Sequence, residues 1–147
     1  MPNIPTQHHV YLAFDFGERR TGVALGQSIT GSARPLTTII STNKQPNWQQ
    51  IESLLKEWQP TQLIVGMPDD AEENKALRKK ITRFCAELAT KSGLPVVTHD
   101  ETLTSDEAYV HLKNKRSSVK GKINKLDIDQ IAAAILLESW MSVNLPT

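Results

Sequence analysis

Apolar and polar positions along this chain predict three strands before any helix. In residues 9–26, HVYLAFDFGERRTGVALG, an apolar run reaches a carboxylate, turns at Gly17, passes three charges and resumes as a second apolar run. Val10, Leu12, Phe14 and Phe16 fall on one face of an extended segment and Tyr11, Ala13 and Asp15 on the other. The strand is therefore apolar on both sides and is expected to be central. The link from Gly17 to Arg20 suits a hairpin with a glycine-containing loop, which pairs this strand antiparallel with residues 21–26. After Gly31 the β-branched stretch RPLTTII, residues 34–40, reads as a third strand, and its Pro35 suits a strand start or an edge.

The period then changes. Trp48, Ile51, Leu54, Leu55 and Trp58 recur at helical spacing between Pro46 and Pro60, predicting a helix that opens at Pro46. Leu63 to Val65 is a short strand closed by Gly66 and Pro68. A second helix is predicted from about Asp70 to Lys91, with Leu77, Ile81, Phe84, Cys85 and Leu88 in one stripe and Asp69, Asp70, Glu72 and Glu73 at its positive end. Its basic residues Lys75, Arg78, Lys79, Lys80 and Arg83 read first as a solvated face. Val96 and Val97 begin a last strand, Thr104 and Glu107 have the spacing of a capping box for a helix to about Leu112, and a final helix runs from about Asp127 to Met141. That helix is apolar nearly all round, so it should be buried against the sheet. The order predicts an α/β domain: a mixed sheet, its first three strands antiparallel, with helices on both faces.

Composition narrows the picture. A length of 147 residues suits one domain, expected over residues 10–143 behind a tail at 1–9. The 17 basic and 16 acidic residues leave a formal charge of +1, so any polyanion-binding surface must be local. Residues 113–125 are such a surface, with six Lys or Arg and no acid. The lone Cys85 excludes an internal disulfide and belongs to the helical stripe. The absence of a long apolar run and of a signal-like start leads to an expected cytoplasmic location with no membrane partner.

Asp15 is costly on a central strand, because a carboxylate leaving water needs a cation, a metal or hydrogen bonds to compensate it. A turn-capping role through the Gly17 and Glu18 amides is the simplest compensation. Other acids suggest a second. Asp100 and Glu101 end the last strand and Asp127 and Asp129 begin the last helix, while ligands in open α/β sheets collect beyond the carboxyl ends of strands. Ala132 and Ala133 would let that helix approach closely enough to bring Asp129 to the others. Converging carboxylates with hard oxygen donors suit magnesium or manganese, which can activate a water and stabilise the leaving oxygen of a phosphodiester. Spacing alone leaves open that Asp127 and Asp129 are an N-cap and a dipole partner.

Four segments together, DFGERRTGVALG, LIVGMP, HDETLTSDEA and LDIDQIAAAILLESW, resemble the YqgF family of bacterial RNase H-like proteins, also called RuvX, over nearly the whole chain. The resemblance implies an RNase H-like five-stranded mixed sheet and a metal-dependent nuclease acting at the 5′ end of pre-16S ribosomal RNA. The alternative it carries is a Holliday junction resolvase, so the implied partner is structured RNA or branched DNA, bound by a monomer or a homodimer. It places the catalytic acids at Asp15, Asp100, Glu101 and Asp129, and we favour Asp15, Glu101 and Asp129 as ligands of Mg2+ or Mn2+. Gly17, Arg20, Gly22, Gly66 and Pro68 match positions around the family's cleft, with Gly17, Gly66 and Pro68 expected as structural turns. Arg19 and Arg20, with Lys115, Arg116, Lys120 and Lys122 of the basic segment, are the expected nucleic-acid contacts. Two departures stand out: Thr102 where the family has an arginine, and an acidic DDAEEN where it has a Gly-Thr loop. The rivals are a non-catalytic nucleic-acid-binding module and an actin-like nucleotide-binding domain, though the latter architecture needs two such units.

Overall fold

The computed structural model describes residues 8–101 and 125–145. The predicted helix at 104–112, Thr102, and Lys115, Arg116, Lys120 and Lys122 lie outside them. The first apolar run forms β1 (Val10–Asp15), antiparallel to β2 (Arg20–Gln27), with Asp15 opposite Gly22 and Ala13 opposite Ala24. β3 (Ser32–Ile40) adds antiparallel to β2 and shifts register at Val23 and Ala24, where Pro35 is accommodated on an edge strand. β4 (Gln62–Met67) and β5 (Val96–Asp100) then join parallel to β1, giving the order β3-β2-β1-β4-β5. The mixed sheet is as expected.

Alternation along β1 divides the interior. Leu12 and Phe14 join Val23, Leu25, Leu63 and Val65 under the first two helices, while Tyr11, Ala13, Ala24 and Ile64 face the last helix. The first helix, α1 (Trp48–Trp58), starts later than Pro46 because Asn47 caps it: its Oδ1 accepts the Gln50 N–H at 3.1 Å. α2 is Lys75–Ser92, shorter than predicted, and a single 3-10 turn at Glu72–Asn74 precedes it. Asp69 explains the delay. Its Oδ1 accepts from the Ala71 N–H at 3.0 Å and the Asn74 side-chain amide at 2.8 Å, a local alternative to helix that keeps the acids out of the first α-helical turn. The stripe of α2 buries Ile81, Phe84 and Leu88, and burial pushes the Cys85 thiol up to about 11. Of its basic residues Lys75, Lys79, Lys80 and Arg83 are exposed, Lys80 pairing with Glu18, while Arg78 donates to the Pro68 carbonyl.

The last helix, α3 (Lys125–Asn144), covers the opposite face of the sheet, with Ala133, Ala134, Leu136, Leu137, Trp140 and Met141 buried against it. Ala132 does not help it approach, since it packs with Ile131 and Ile135 in a separate cluster. The close approach comes from β2 instead. Gly22, Ala24 and Gly26 share the face under α3, and a side chain at Gly22 would run into the Asp129 carbonyl. At Gly26 it would meet the Leu137 Cδ2 at 2.7 Å and the Met141 Cε at 3.1 Å, the ends of flexible side chains. Among the described residues no helix is long and apolar enough to cross a membrane.

This difference predicts unequal costs. Gly22→Ala should lose about 3 kcal/mol, because backbone must move, and Gly26→Ala about 1 kcal/mol. Urea unfolding of the two variants checks the order; equal losses would mean that α3 is not seated on Gly22.

Candidate active site

β1 and β5 both run parallel to β4, so their carboxyl ends emerge at one end of the sheet. Asp15 is the last residue of β1, Glu101 follows β5 directly, and Gly22, opposite Asp15, lies under the backbone of Asp129. Three acids remote in sequence thus reach one place. Burial, then a hydrogen bond with Glu101 and its charge, then the charge of Asp129, hold the Asp15 carboxyl well above the usual carboxylate range. Two carboxyl groups can share a hydrogen bond only when one carries a proton, which agrees with the direction of the Asp15 shift.

Asp129 is engaged differently. Arg20, the first residue of β2, donates from Nε to the Asp129 Oδ2 at 2.7 Å. The Arg20 guanidinium, about a third exposed, closes the cluster from the side of β2. Among the described residues, no three His, Cys, Asp or Glu side chains are grouped so as to hold a metal ion.

Glu101 and Asp100 point to opposite sides, as successive strand residues must. The Glu101 N–H donates to the Met67 carbonyl at 3.1 Å, carrying the β5 pairing one residue further, and its carboxylate lies over Gly66. A Cβ at Gly66 would stand 3.0 Å from the Glu101 Oε1 and 3.2 Å from the Leu136 Cδ2. Gly66 is therefore not a turn residue: it is a buried position inside β4 whose missing side chain leaves room for Glu101. Asp100, exposed and level with Met67, takes the other side. Gly17 does make a tight turn, since a side chain there would strike the Arg20 carbonyl, and Pro68 follows β4. Arg19 is exposed, with its carbonyl accepting the Ser41 N–H at 2.9 Å.

One contact escaped the sequence reading. His99, on the same side of β5 as Glu101, places Nε2 at 3.0 Å from the Ser139 Oγ and so ties the edge strand to α3. The alternation of His99 with Glu101 was the available signal, but its partner lies 40 residues away.

A sheet of this order, with a helix laid across it so that acids from β1, β5 and the helix meet, defines the RNase H-like class. The chain belongs to the RuvX family: the model of that family, described as a Holliday junction resolvase, matches residues 9–143. A protein of Photorhabdus laumondii named "Putative pre-16S rRNA nuclease" is 46% identical over 88% of this chain and 92% of its own length. A Pseudomonas fluorescens protein of the same name is 41% identical over 90% of this chain and 92% of its own. Among solved structures, Thermus thermophilus RuvC in complex with a Holliday junction substrate aligns with a TM-score of 0.58 at 15% identity, covering 93% of this chain and 96% of that one. Fowlpox virus resolvase with Holliday junction DNA aligns with a TM-score of 0.60 at 18% identity, covering 93% and 99%. These two likenesses concern the fold.

The raised Asp15 carboxyl has a consequence for stability. The folded protein holds this proton more tightly than the unfolded chain, so stability falls as pH rises from the ordinary Asp range toward the folded value. Asp15→Asn removes that loss. In the absence of divalent metal, urea unfolding near neutral pH should show the Asn variant more stable than wild type, with the advantage vanishing below about pH 4. A variant less stable at neutral pH would instead assign Asp15 to holding the turn.

Proposed function

We propose that this chain is a metal-dependent nuclease that hydrolyses phosphodiester bonds, with the 5′ end of pre-16S ribosomal RNA as its substrate in the cytoplasm. The observation that carries the reading is the meeting of the Asp15 and Glu101 carboxyls, drawn from β1 and β5, beside Asp129. The substrate class is supported by the names of relatives that match nearly the full chain.

The residues present fit a divalent cation. With Asp129 answered by Arg20, the pair left over is two carboxylates, whose combined charge one such ion balances. Asp15 and Glu101 would hold Mg2+ or Mn2+ through hard oxygens, and Asp129 would join them on turning from Arg20. When bound, the metal supplies an activated water and stabilisation of the leaving oxygen. The protein's own part is positioning. β1 and β5 fix the spacing of Asp15 and Glu101, Gly66 leaves the Glu101 carboxylate room, and Arg20 keeps Asp129 at the cluster in the metal-free protein. Asp100, aimed away, is not needed as a ligand.

Cleavage of a precursor rRNA fragment and of a four-way DNA junction, side by side with Mg2+ or Mn2+, tests the reading. Preference for the junction would favour the resolvase that the family's description names, and metal-dependent cleavage of neither would favour a non-catalytic binding module. Asp15→Asn and Glu101→Gln should each lower cleavage by at least about a hundredfold, more than losing an outer partner usually costs. Asp100→Asn should stay near wild type; the reverse pattern in the two strand-end variants would move the ligand to Asp100.

The basic segment gives a separate test. Neutralising Lys115, Arg116, Lys120 and Lys122 together should flatten the dependence of nucleic-acid affinity on salt, as loss of phosphate contacts does. An unchanged slope would remove those residues from the interface.

A further inference from the structure

On the other side of the β1–β2 turn from the carboxylates lies a groove of about 380 Å³, within the range of sites that hold small ligands. It forms where the turn, the start of α1 and α2 meet. Its floor is aromatic. Phe84 is buried, with the Trp48 ring stacked at 5.5 Å and the Phe16 ring tilted at 5.0 Å between centroids, and both of those rings keep partial exposure. Its rim is largely cationic, carrying Lys44, Lys80 and Arg83 against Glu18 and Glu87.

The charges do not cancel. Lys80 forms an ion pair with Glu18, holding its carboxyl below the usual range, and Lys44 and Arg19 add to the effect. Among the described residues Lys44 and Arg83 have no ion-pair partner, so both can serve an anion.

The backbone at Lys44 supports a role for that cation. Residues 42–45 form a two-residue hairpin in which the Thr42 N–H donates to the Gln45 carbonyl at 2.8 Å and the Gln45 N–H donates back at 3.0 Å. Asn43 and Lys44 have φ of 53° and 62°. Asn suits the first of these positions, but the second ordinarily goes to Gly, and a Lys there is strained. Strain of this kind collects where side chains have functions.

The geometry points to a subsite for one unpaired nucleotide of the nucleic-acid substrate in this groove, its base against the exposed parts of Phe16 and Trp48 and its phosphate between Lys44 and Arg83. The inference rests on the nuclease reading for the class of polymer, and it adds a preference for single-stranded segments. Aromatic surfaces bind any exposed base, whereas a paired base keeps its faces in the helical stack.

The test is binding without cleavage. With chelator present, a labelled single-stranded RNA of about ten nucleotides and its perfectly paired duplex are titrated against wild type and against Lys44→Gly with Arg83→Gln. Lys44→Gly suits the left-handed backbone, so the variant should melt at or above the wild-type temperature, which separates lost binding from lost folding. Single-strand affinity should fall about tenfold, as two lost charge contacts of ordinary size predict, and duplex affinity should fall less than about threefold. Lys56→Gln, on α1 outside the groove, should change neither.

An unchanged single-strand affinity, or equal losses for the two forms, would overturn the subsite. A protein that cuts nothing with metal but shows the selective loss refutes the nuclease reading and retains the groove. One that cuts and shows no selective loss does the opposite.

Discussion

The structure is organised around like charges that must be brought together and kept together. At an effective dielectric of about 20, two unit charges about 4 Å apart interact by about 4 kcal/mol, enough to spread any loosely held group of acids. Here the acids sit on elements that cannot spread. Asp15 ends a strand hydrogen-bonded on both sides, Glu101 continues the ladder of β5 by its N–H bond to Met67, and Asp129 is fixed by Arg20. Burial first, and the neighbouring carboxyls after it, therefore show as a raised affinity of Asp15 for its proton.

Holding Asp129 there depends on how low α3 lies on the sheet. β2 offers Gly22, Ala24 and Gly26 on the face beneath the helix, and α3 answers with Ala133 and Ala134. Polar contacts then fix its register at three levels. Gln130 Nε2 donates to the Thr38 Oγ1 at 3.0 Å near the start, Glu138 Oε2 accepts the Ala33 N–H at 3.4 Å, and Ser139 meets His99 at 3.0 Å. A slide along the axis would break all three and carry Asp129 away from Arg20. Packing near the middle of the helix is thus part of what positions the acid at its first turn.

Much of this was legible because burial on both faces leaves a simple pattern. β1 could be read as central from its alternation, and the three separated acids could be matched to strand ends and a helix start. What failed was decided by single contacts. Asp69 takes the Ala71 and Asn74 donors and delays α2, and Ala132 turns from the sheet while Ala133 turns toward it. The choice between Asp100 and Glu101 shows the limit of periodicity. Parity assigns Glu101 to the side of Val97 and His99, but only the packing of Val97 with α3 and of Val96 with the opposite core shows which side holds Asp15.

The same parity separates Asp15 from Phe16. Asp15 faces the carboxylate cluster and Phe16, one residue on, packs with the core under α1 and α2 and lines the aromatic groove. One tight turn, closed where Gly17 meets the Arg20 carbonyl, therefore supports both sides of the sheet end. It also carries Glu18, whose ion pair with Lys80 anchors the turn to α2, and leads into Arg20, which anchors the cluster to α3. A change in this turn that moved one side would drag the other with it. Coupling of this kind would suit the proposed polymer substrate, because a strand crossing the end of the sheet could reach both the groove and the acids with no separate element needed to align the two.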